Sequence, residues 1–189
     1  MSQIASLEEY FIDPSVEIIA IRDGGRLNSR KIVTLDNGSE WVFMPDKGNE
    51  RFCGYLYLKE ALEKNGSTQV KAADNKLFWW DGKAIVLSRY SGEGKPGMFD
   101  FESILALKEV GFTDTHGMSN LRKVGDEIHA FDTELFSFDP STHEAILEME
   151  GTRAKIEELL TQKVSGVEQP ESKHGERSNS PTNNSSNTP

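Results

Sequence analysis

Three short runs of β-branched and aromatic residues stand close together near the start of this chain. They occupy residues 16–21, 31–35 and 40–44. Such residues favour strands, and an Asn-Gly pair between the second and third runs accepts the positive φ angles of a tight hairpin turn. The pattern therefore predicts an antiparallel meander of three strands, with Gly24 and Gly25 between the first two.

The next segment predicts a helix followed by a hairpin. The helix covers residues 55–64 and stops at an Asn-Gly pair, and strands at 76–80 and 84–90 follow it. Trp79 and Trp80 alternate across a pleat, so one of them should enter the core. These elements predict a three-stranded meander, one helix and a further hairpin in the N-terminal part of an α+β fold.

Helical elements and one hairpin are predicted for the second half of the chain. A glycine-rich loop covers 91–97, a helix 100–110, two short strands 121–124 and 128–131, and a long helix 142–163. The apolar residues of the first helix stand at helical spacing, at Phe101, Ile104, Leu105 and Leu107. The segment Asp139-Pro140-Ser141 has the composition of a helix start.

The composition changes after residue 164. Residues 165–189 are rich in Ser, Asn and Pro and hold almost nothing that could be buried, so disorder is expected there. The 189 residues are enough for one compact domain, which we place at 1–164.

Charge and composition argue against several classes of function. The formal net charge is −10, no cluster of Lys and Arg marks a nucleic-acid surface, and an anionic membrane would repel the chain. The sequence shows no run of membrane-spanning length and no secretory signal. Cys53 is the single cysteine, so no intramolecular disulfide can form, which fits a reducing compartment. We expect a cytoplasmic protein that binds neither nucleic acid nor membrane.

Residues 111–134 contain the most specific pattern in the sequence. Asp114 and His116 are followed by Asn120, then by the predicted hairpin, and then by the segment Asp132-Thr133-Glu134. This order resembles the Asp-x-His-x-x-Asn loop of aminoglycoside phosphotransferases, lipid kinases and lanthionine-synthetase-like kinases. In those families a hairpin and an apolar strand ending in Asp-x-Asp or Asp-x-Glu follow. The resemblance covers residues 16–134 and implies a kinase-like fold. Such a fold has a five-stranded antiparallel N-terminal sheet with one helix, and here a reduced C-terminal helical part with a catalytic-loop hairpin.

The resemblance implies phosphoryl transfer with ATP and Mg²⁺ as cofactors. Positioning and charge neutralisation dominate that chemistry, and Mg²⁺ is held by a few oxygen ligands. The implied roles are acceptor orientation by Asp114, loop orientation by His116, metal binding by Asn120, Asp132 and Glu134, and closure over the nucleotide phosphates by Gly24 and Gly25.

The sequence departs from the kinase pattern in three respects. Ser119 stands where the families have the Asn, which comes one residue later as Asn120. Met44 stands where strand three of the families carries a Lys, and Lys47, Lys31 and Arg51 are the candidates to replace it. Little chain remains for the half of the fold that holds the acceptor.

Three functions are therefore open. The first is a phosphotransferase that binds a nucleotide and acts on an unknown acceptor. The second is an inactive pseudokinase that interacts with a protein partner, with the helix 142–163 as a candidate surface. The third is a metal-dependent hydrolase with a centre formed by Asp114, His116, His129 and Asp132.

Overall fold

A computed structural model describes residues 7–24, 30–44, 48–90, 99–115 and 120–147, together with 154 and 158. Features predicted above that lie outside these residues are Gly25, His116, the loop 91–97 and the tail 165–189. The described part has an α+β fold, as the sequence predicts.

Eight strands and three α-helices make up the described part of the chain. The strands are β1 (Ile18–Gly24), β2 (Arg30–Leu35), β3 (Glu40–Phe43), β4 (Val70–Ala72), β5 (Asn75–Trp80), β6 (Lys83–Arg89), β7 (Leu121–Val124) and β8 (Glu127–Ala130). The helices are α1 (Gly48–Lys64), α2 (Phe101–Glu109) and α3 (Pro140–Leu147), and short 3₁₀ turns cover Leu7–Tyr10 and Leu135–Ser137.

The predicted five-stranded antiparallel sheet is confirmed, with the strand order β1-β2-β3-β6-β5. Its hairpin turns lie where the sequence places them. Gly38 has a φ of 78°, and Asp81 and Gly82 have φ angles of 49° and 72°. These angles lie in the left-handed region, which Gly adopts without a steric penalty and Asp more readily than most residues. Local turn chemistry therefore decided where the strands pair.

A second sheet was not predicted in full. It has the order β4-β8-β7, in which β7 and β8 form the predicted hairpin and β4 runs parallel to β8. Strand β4 has only three residues, too few for a pattern of alternating burial to be recognised in the sequence. Its pairing with β8, extended by a bond from the Ala73 amide to the Ala130 carbonyl (2.7 Å), fixes the hairpin beside α1.

Helix α1 begins at Gly48, seven residues before the predicted start at residue 55, so that boundary was wrong. Glycine is a poor helix former, and Gly48 and Gly54 made the first turns look like loop. Both glycines lie at close contacts. A Cβ on Gly48 would lie 3.0 Å from Cβ of Val86, and one on Gly54 would lie 2.0 Å from the carbonyl oxygen of Thr133. Tertiary packing therefore requires glycine at residue 54.

Two apolar clusters lie on opposite faces of the larger sheet. The first joins α1 to the sheet, the hairpin and the helices, and includes Phe52, Leu58, Leu77, Val86, Leu107 and Phe112. The second includes Val33, Leu35, Trp41, Phe78, Ile85 and Leu87. The expectation that one of Trp79 and Trp80 enters the core is confirmed in part, because Trp80 packs against the second cluster but both side chains are half-buried. Trp79 stacks on Phe11 and Trp80 meets the edge of Phe43.

Helix α2 confirms the predicted position, but only part of its predicted apolar face meets the core. Asp100 caps its N-terminus by accepting from the Ser103 amide at 2.8 Å. Ser103 and Leu107 are buried and Ile104 packs against the first cluster, while Phe101 and Leu105 are 78% and 42% exposed. The apolar spacing in the sequence therefore identified the helix and, at Ile104 and Leu107, part of its buried face.

Helix α3 begins at Pro140, where Asp139 accepts a hydrogen bond from the Ser141 amide at 2.9 Å. Ile146 is buried in the first cluster, so the described part of this helix packs on its own domain. Ala154 and Glu158 are also helical, and the remaining residues of the predicted helix 142–163 lie outside the described part. None of the helices described here is long and apolar enough to cross a membrane.

The buried hydroxyl of Tyr55 predicts a loss of stability at alkaline pH. Burial raises the pKa of Tyr55 above its ordinary value of 10.0, and the Asp74 carboxylate raises this pKa further. The unfolded chain therefore loses the proton first. Between about pH 10 and the raised pKa, the free energy of unfolding should fall by up to about 1.4 kcal/mol per pH unit.

Urea unfolding of wild type and Tyr55→Phe at several pH values above 9 measures this slope. The variant should show a shallower decline, with a remainder due in part to Tyr10 and Tyr57, whose pKa values burial also raises. Equal slopes in the two proteins would contradict the assignment to Tyr55.

Candidate functional site

The segment Asp132-Thr133-Glu134, here called the acidic motif, is separated from the end of β8 by one residue, Phe131. Asp132 has a φ of 57°, a left-handed conformation that Asp tolerates better than most residues. Thr133 and Glu134 are buried, and the Asp132 side chain is 13% exposed. The chain therefore turns sharply at the end of the strand and directs two carboxylates inward.

Arg51, in the first turn of α1, binds both carboxylates of the acidic motif. Its Nη2 lies 2.5 Å from Oδ1 of Asp132 and its Nε lies 3.0 Å from Oε1 of Glu134. The arginine is only 5% exposed. Burying charges is costly unless they are paired and hydrogen-bonded, and a guanidinium offers several donors in one plane for such pairing. One cation therefore neutralises half of the buried negative charge.

Three further contacts hold the acidic motif against α1. The Thr133 hydroxyl donates to the Arg51 carbonyl oxygen at 2.7 Å, and the Leu135 amide donates to Oε1 of Glu50 at 2.7 Å. The close approach of Gly54 to the Thr133 carbonyl completes the contact. The acidic motif and the first two turns of α1 therefore form one packed unit.

Asp114 and Asn120, which the resemblance places in the catalytic loop, contact each other. The Asn120 amide nitrogen donates to Oδ2 of Asp114, and Asn120 is buried. The Phe131 amide donates to the Asn120 carbonyl at 2.7 Å, which places Asn120 beside the start of the acidic motif. His116 lies outside the described residues, so its predicted role stays a prediction.

Arg30, the first residue of β2, also approaches the acidic motif. Gly24 is the last residue of β1 and pairs with Arg30, and the Arg30 guanidinium lies 3.7 Å from Oδ2 of Asp132. A Cβ on Gly24 would lie 2.8 Å from Cγ1 of Ile32, so packing within the sheet accounts for glycine at this position. Phosphate binding by Gly24 and Gly25 stays a prediction.

Of the three side chains considered as replacements for the strand-three Lys, Arg51 is the one found at the acidic motif. Met44 itself is buried. Lys31 forms an ion pair with Asp23, and Lys47 lies outside the described part. Nothing in the sequence favoured Arg51 over the others, because it preceded the predicted start of the helix. The sequence also gave no signal for Arg30 or Glu50.

The arrangement around the acidic motif does not fit a divalent cation unless Arg51 moves away. Mg²⁺ requires carboxylate or amide oxygens directed at the ion. Here both Asp132 oxygens face guanidinium groups, and Glu134 also binds Arg51. No group of three or more His, Cys, Asp or Glu side chains suited to a metal occurs among the residues described here. Binding of ATP and Mg²⁺ stays a prediction.

Of the four residues predicted for a hydrolase metal centre, the structure describes three, Asp114, His129 and Asp132. His129 lies in β8, where its Nε2 is 3.2 Å from Oε2 of Glu127. That contact places the histidine in the small sheet with an acidic partner outside the predicted set. With His116 outside the described residues, the hydrolase centre also stays a prediction.

Known proteins provide no independent indication of function. The kinase resemblance rests on the loop and hairpin of residues 111–134 and on the order of the strands and helices before them. Its residues Asp114, Asn120, Asp132 and Glu134 lie close together along one hairpin and its flanking turns. Comparison of the chain with protein families, curated proteins and solved structures found no match.

Proposed function

We propose that this chain is a kinase-like domain that does not transfer phosphate and works by contact with a protein partner. One observation carries the proposal: each of the three carboxylates expected at the site accepts a hydrogen bond from a side-chain nitrogen of the same chain. Asp114 accepts from Asn120, and Asp132 and Glu134 accept from Arg51.

These bonds oppose the chemistry of a transferase. A general base must be within hydrogen-bond reach of the proton that it takes, and metal ligands must direct their oxygens at the ion. Asp114 is engaged by an amide, and Asp132 by a buried guanidinium. Separating a buried ion pair leaves an uncompensated charge, which costs about 3–5 kcal/mol. A nucleotide would have to overcome that cost before any transfer.

Three features of the chain agree with a binding role without phosphoryl transfer. Met44 replaces the cationic side chain that the families use on the phosphates. Apolar side chains are also exposed at the surface, notably Ile19 and Ile21 of β1 and Phe101 of α2. The net charge of −10 favours a partner with a basic surface, because opposite charges accelerate association.

A phosphotransferase using ATP and Mg²⁺ is the second candidate. It is favoured by the position of Asn120, whose carbonyl accepts from Phe131 immediately before Asp132. The resemblance implies that Asn120 and Asp132 bind the same metal ion. Arg30, at the start of β2, adds a half-exposed cation near Asp132, and the resemblance expects nucleotide phosphates to bind near the β1–β2 connection that precedes it.

Thermal unfolding with ATP, with and without Mg²⁺, separates the two candidates. A ligand at a hundred times its Kd stabilises the folded state by about 2.7 kcal/mol, which raises the Tm of a chain this long by roughly 5–10 °C. We expect no rise at millimolar ATP and Mg²⁺.

The variant Asp132→Asn is the control for that experiment. Asparagine tolerates the left-handed backbone of this residue and removes one charge. A Tm rise that requires both ATP and Mg²⁺ in wild type and is lost in Asp132→Asn would favour the phosphotransferase instead.

A further inference from the structure

We infer that Arg51 is a built-in cation of the acidic motif, and that its guanidinium takes the place that a divalent ion has in the families the chain resembles. The domain would then assemble this motif without metal. The inference rests on the proposed function, because a domain without phosphoryl transfer can dispense with an exchangeable ion.

The first step is geometric. Arginine often binds a single carboxylate through two parallel hydrogen bonds. Arg51 does not form that arrangement. It uses Nη2 on Asp132 and Nε on Glu134, at 2.5 and 3.0 Å. The cation therefore bridges two carboxylates, as a shared metal ion would.

The second step is electrostatic. The Arg51, Asp132 and Glu134 side chains are 6%, 13% and 2% exposed, so water can stabilise these charges only weakly. Arg30 lies 3.7 Å from Asp132 but is 45% exposed, so it offsets only part of the remaining negative charge. Without Arg51, two neighbouring carboxylates would be left in a largely buried site. Hard divalent ions bind paired carboxylates of this kind.

A simpler interpretation is that Arg51 only ties α1 to the acidic motif. The two interpretations differ in one measurable respect. If Arg51 is only a tie, its removal weakens the fold and metal ions do not repair it. If Arg51 replaces a cation, a divalent ion restores stability to a chain that lacks the guanidinium.

The test measures Tm in EDTA and in millimolar Mn²⁺ for four proteins: wild type, Arg51→Gln, Arg51→Gln with Asp132→Asn, and Arg22→Gln. Arg22 is the matched control, because it has one ion pair, with Glu40 at 2.9 Å, and is half-exposed. We expect wild type and Arg22→Gln to have the same Tm in both solutions. Arg51→Gln should melt at least about 10 °C below wild type in EDTA and regain about half of that loss in Mn²⁺.

The double variant tests whether Mn²⁺ acts at the acidic motif. The Tm that Mn²⁺ restores to Arg51→Gln should not be restored when Asp132→Asn is added. If Arg51→Gln is unfolded in EDTA, recovery of its far-UV circular dichroism on adding Mn²⁺ is the expected result. No recovery, or no stabilisation by Mn²⁺ beyond that of Arg22→Gln, overturns the inference.

Wild type supplies a test that does not depend on a weakened variant. Electron paramagnetic resonance should detect no Mn²⁺ ion bound to wild type at a site that is lost in Asp132→Asn. Such an ion would overturn the inference even if ATP is not bound. Stabilisation of wild type by ATP with Mg²⁺ would overturn the proposed function. The effect of Mn²⁺ on Arg51→Gln, measured without nucleotide, tests the role of Arg51 separately.

Discussion

Replacing Gly54 with alanine is expected to destabilise the chain by about 3 kcal/mol, although alanine is the better helix former. The added Cβ would lie 2.0 Å from the Thr133 carbonyl oxygen and 3.2 Å from the Phe138 ring. The nearest neighbour is backbone, which cannot rotate away. Either α1 or the acidic motif must shift, and a shift would strain the bonds of Arg51. Urea unfolding at neutral pH measures the loss.

Glu63→Ala is the control for the effect of alanine in the same helix. Glu63 is exposed near the C-terminal end of α1, and its replacement should change the free energy of unfolding by less than about 0.5 kcal/mol. If Gly54→Ala is as stable as Glu63→Ala, then α1 does not approach the acidic motif as closely as described.

Replacing Phe52 with alanine is expected to cost about 3–5 kcal/mol, because it removes a fully buried ring and leaves a cavity. The ring meets the edge of Tyr10 at a centroid distance of 5.4 Å and lies 6.0 Å from Tyr55. It lies in the cluster that joins α1 to the sheets. Denaturant unfolding should show a lower midpoint with little change of slope.

Phe101→Ala is the matched control, with the same atoms removed from a side chain that is 78% exposed. Little surface is withdrawn from water at Phe101, so its loss should cost less than about 0.5 kcal/mol. Equal losses for the two variants would show that Phe52 does not fill the core, or that Phe101 is covered in solution.

The local pattern of the sequence was sufficient for most of the elements. Strands β1, β2 and β3 were predictable because β-branched runs alternate with residues that tolerate turn angles, as at Gly38. The hairpin β7–β8 and the start of α3 at Asp139 and Pro140 followed from the same kind of signal. The first turns of α1 were missed, because glycines at 48 and 54 are unfavourable in an isolated helix.

The candidate site was predictable only as a set of acidic and amide residues. The order Asp114, Asn120, Asp132 and Glu134 directed attention to a loop and hairpin where Asp114 contacts Asn120 and Asn120 lies beside the acidic motif, since these residues stand near each other in the chain. Their partners could not be chosen, because Arg51 and Asp132 are separated by 81 residues. Among the candidates that the structure describes, Arg51 is brought to the acidic motif by the tertiary contacts of α1 with the segment that follows β8.

The sequence by itself determined the fold class, most strands of the larger sheet with their hairpin turns, and the hairpin that leads to the acidic motif, because strand period and turn angles are properties of neighbouring residues. Tertiary structure decided which part of the apolar face of α2 is buried, that β4 pairs with β8, and that Asp132 and Glu134 meet a guanidinium. Those outcomes depend on burial and charge pairing between distant segments. The free energy that favours these outcomes comes from contacts that form only when the segments pack together.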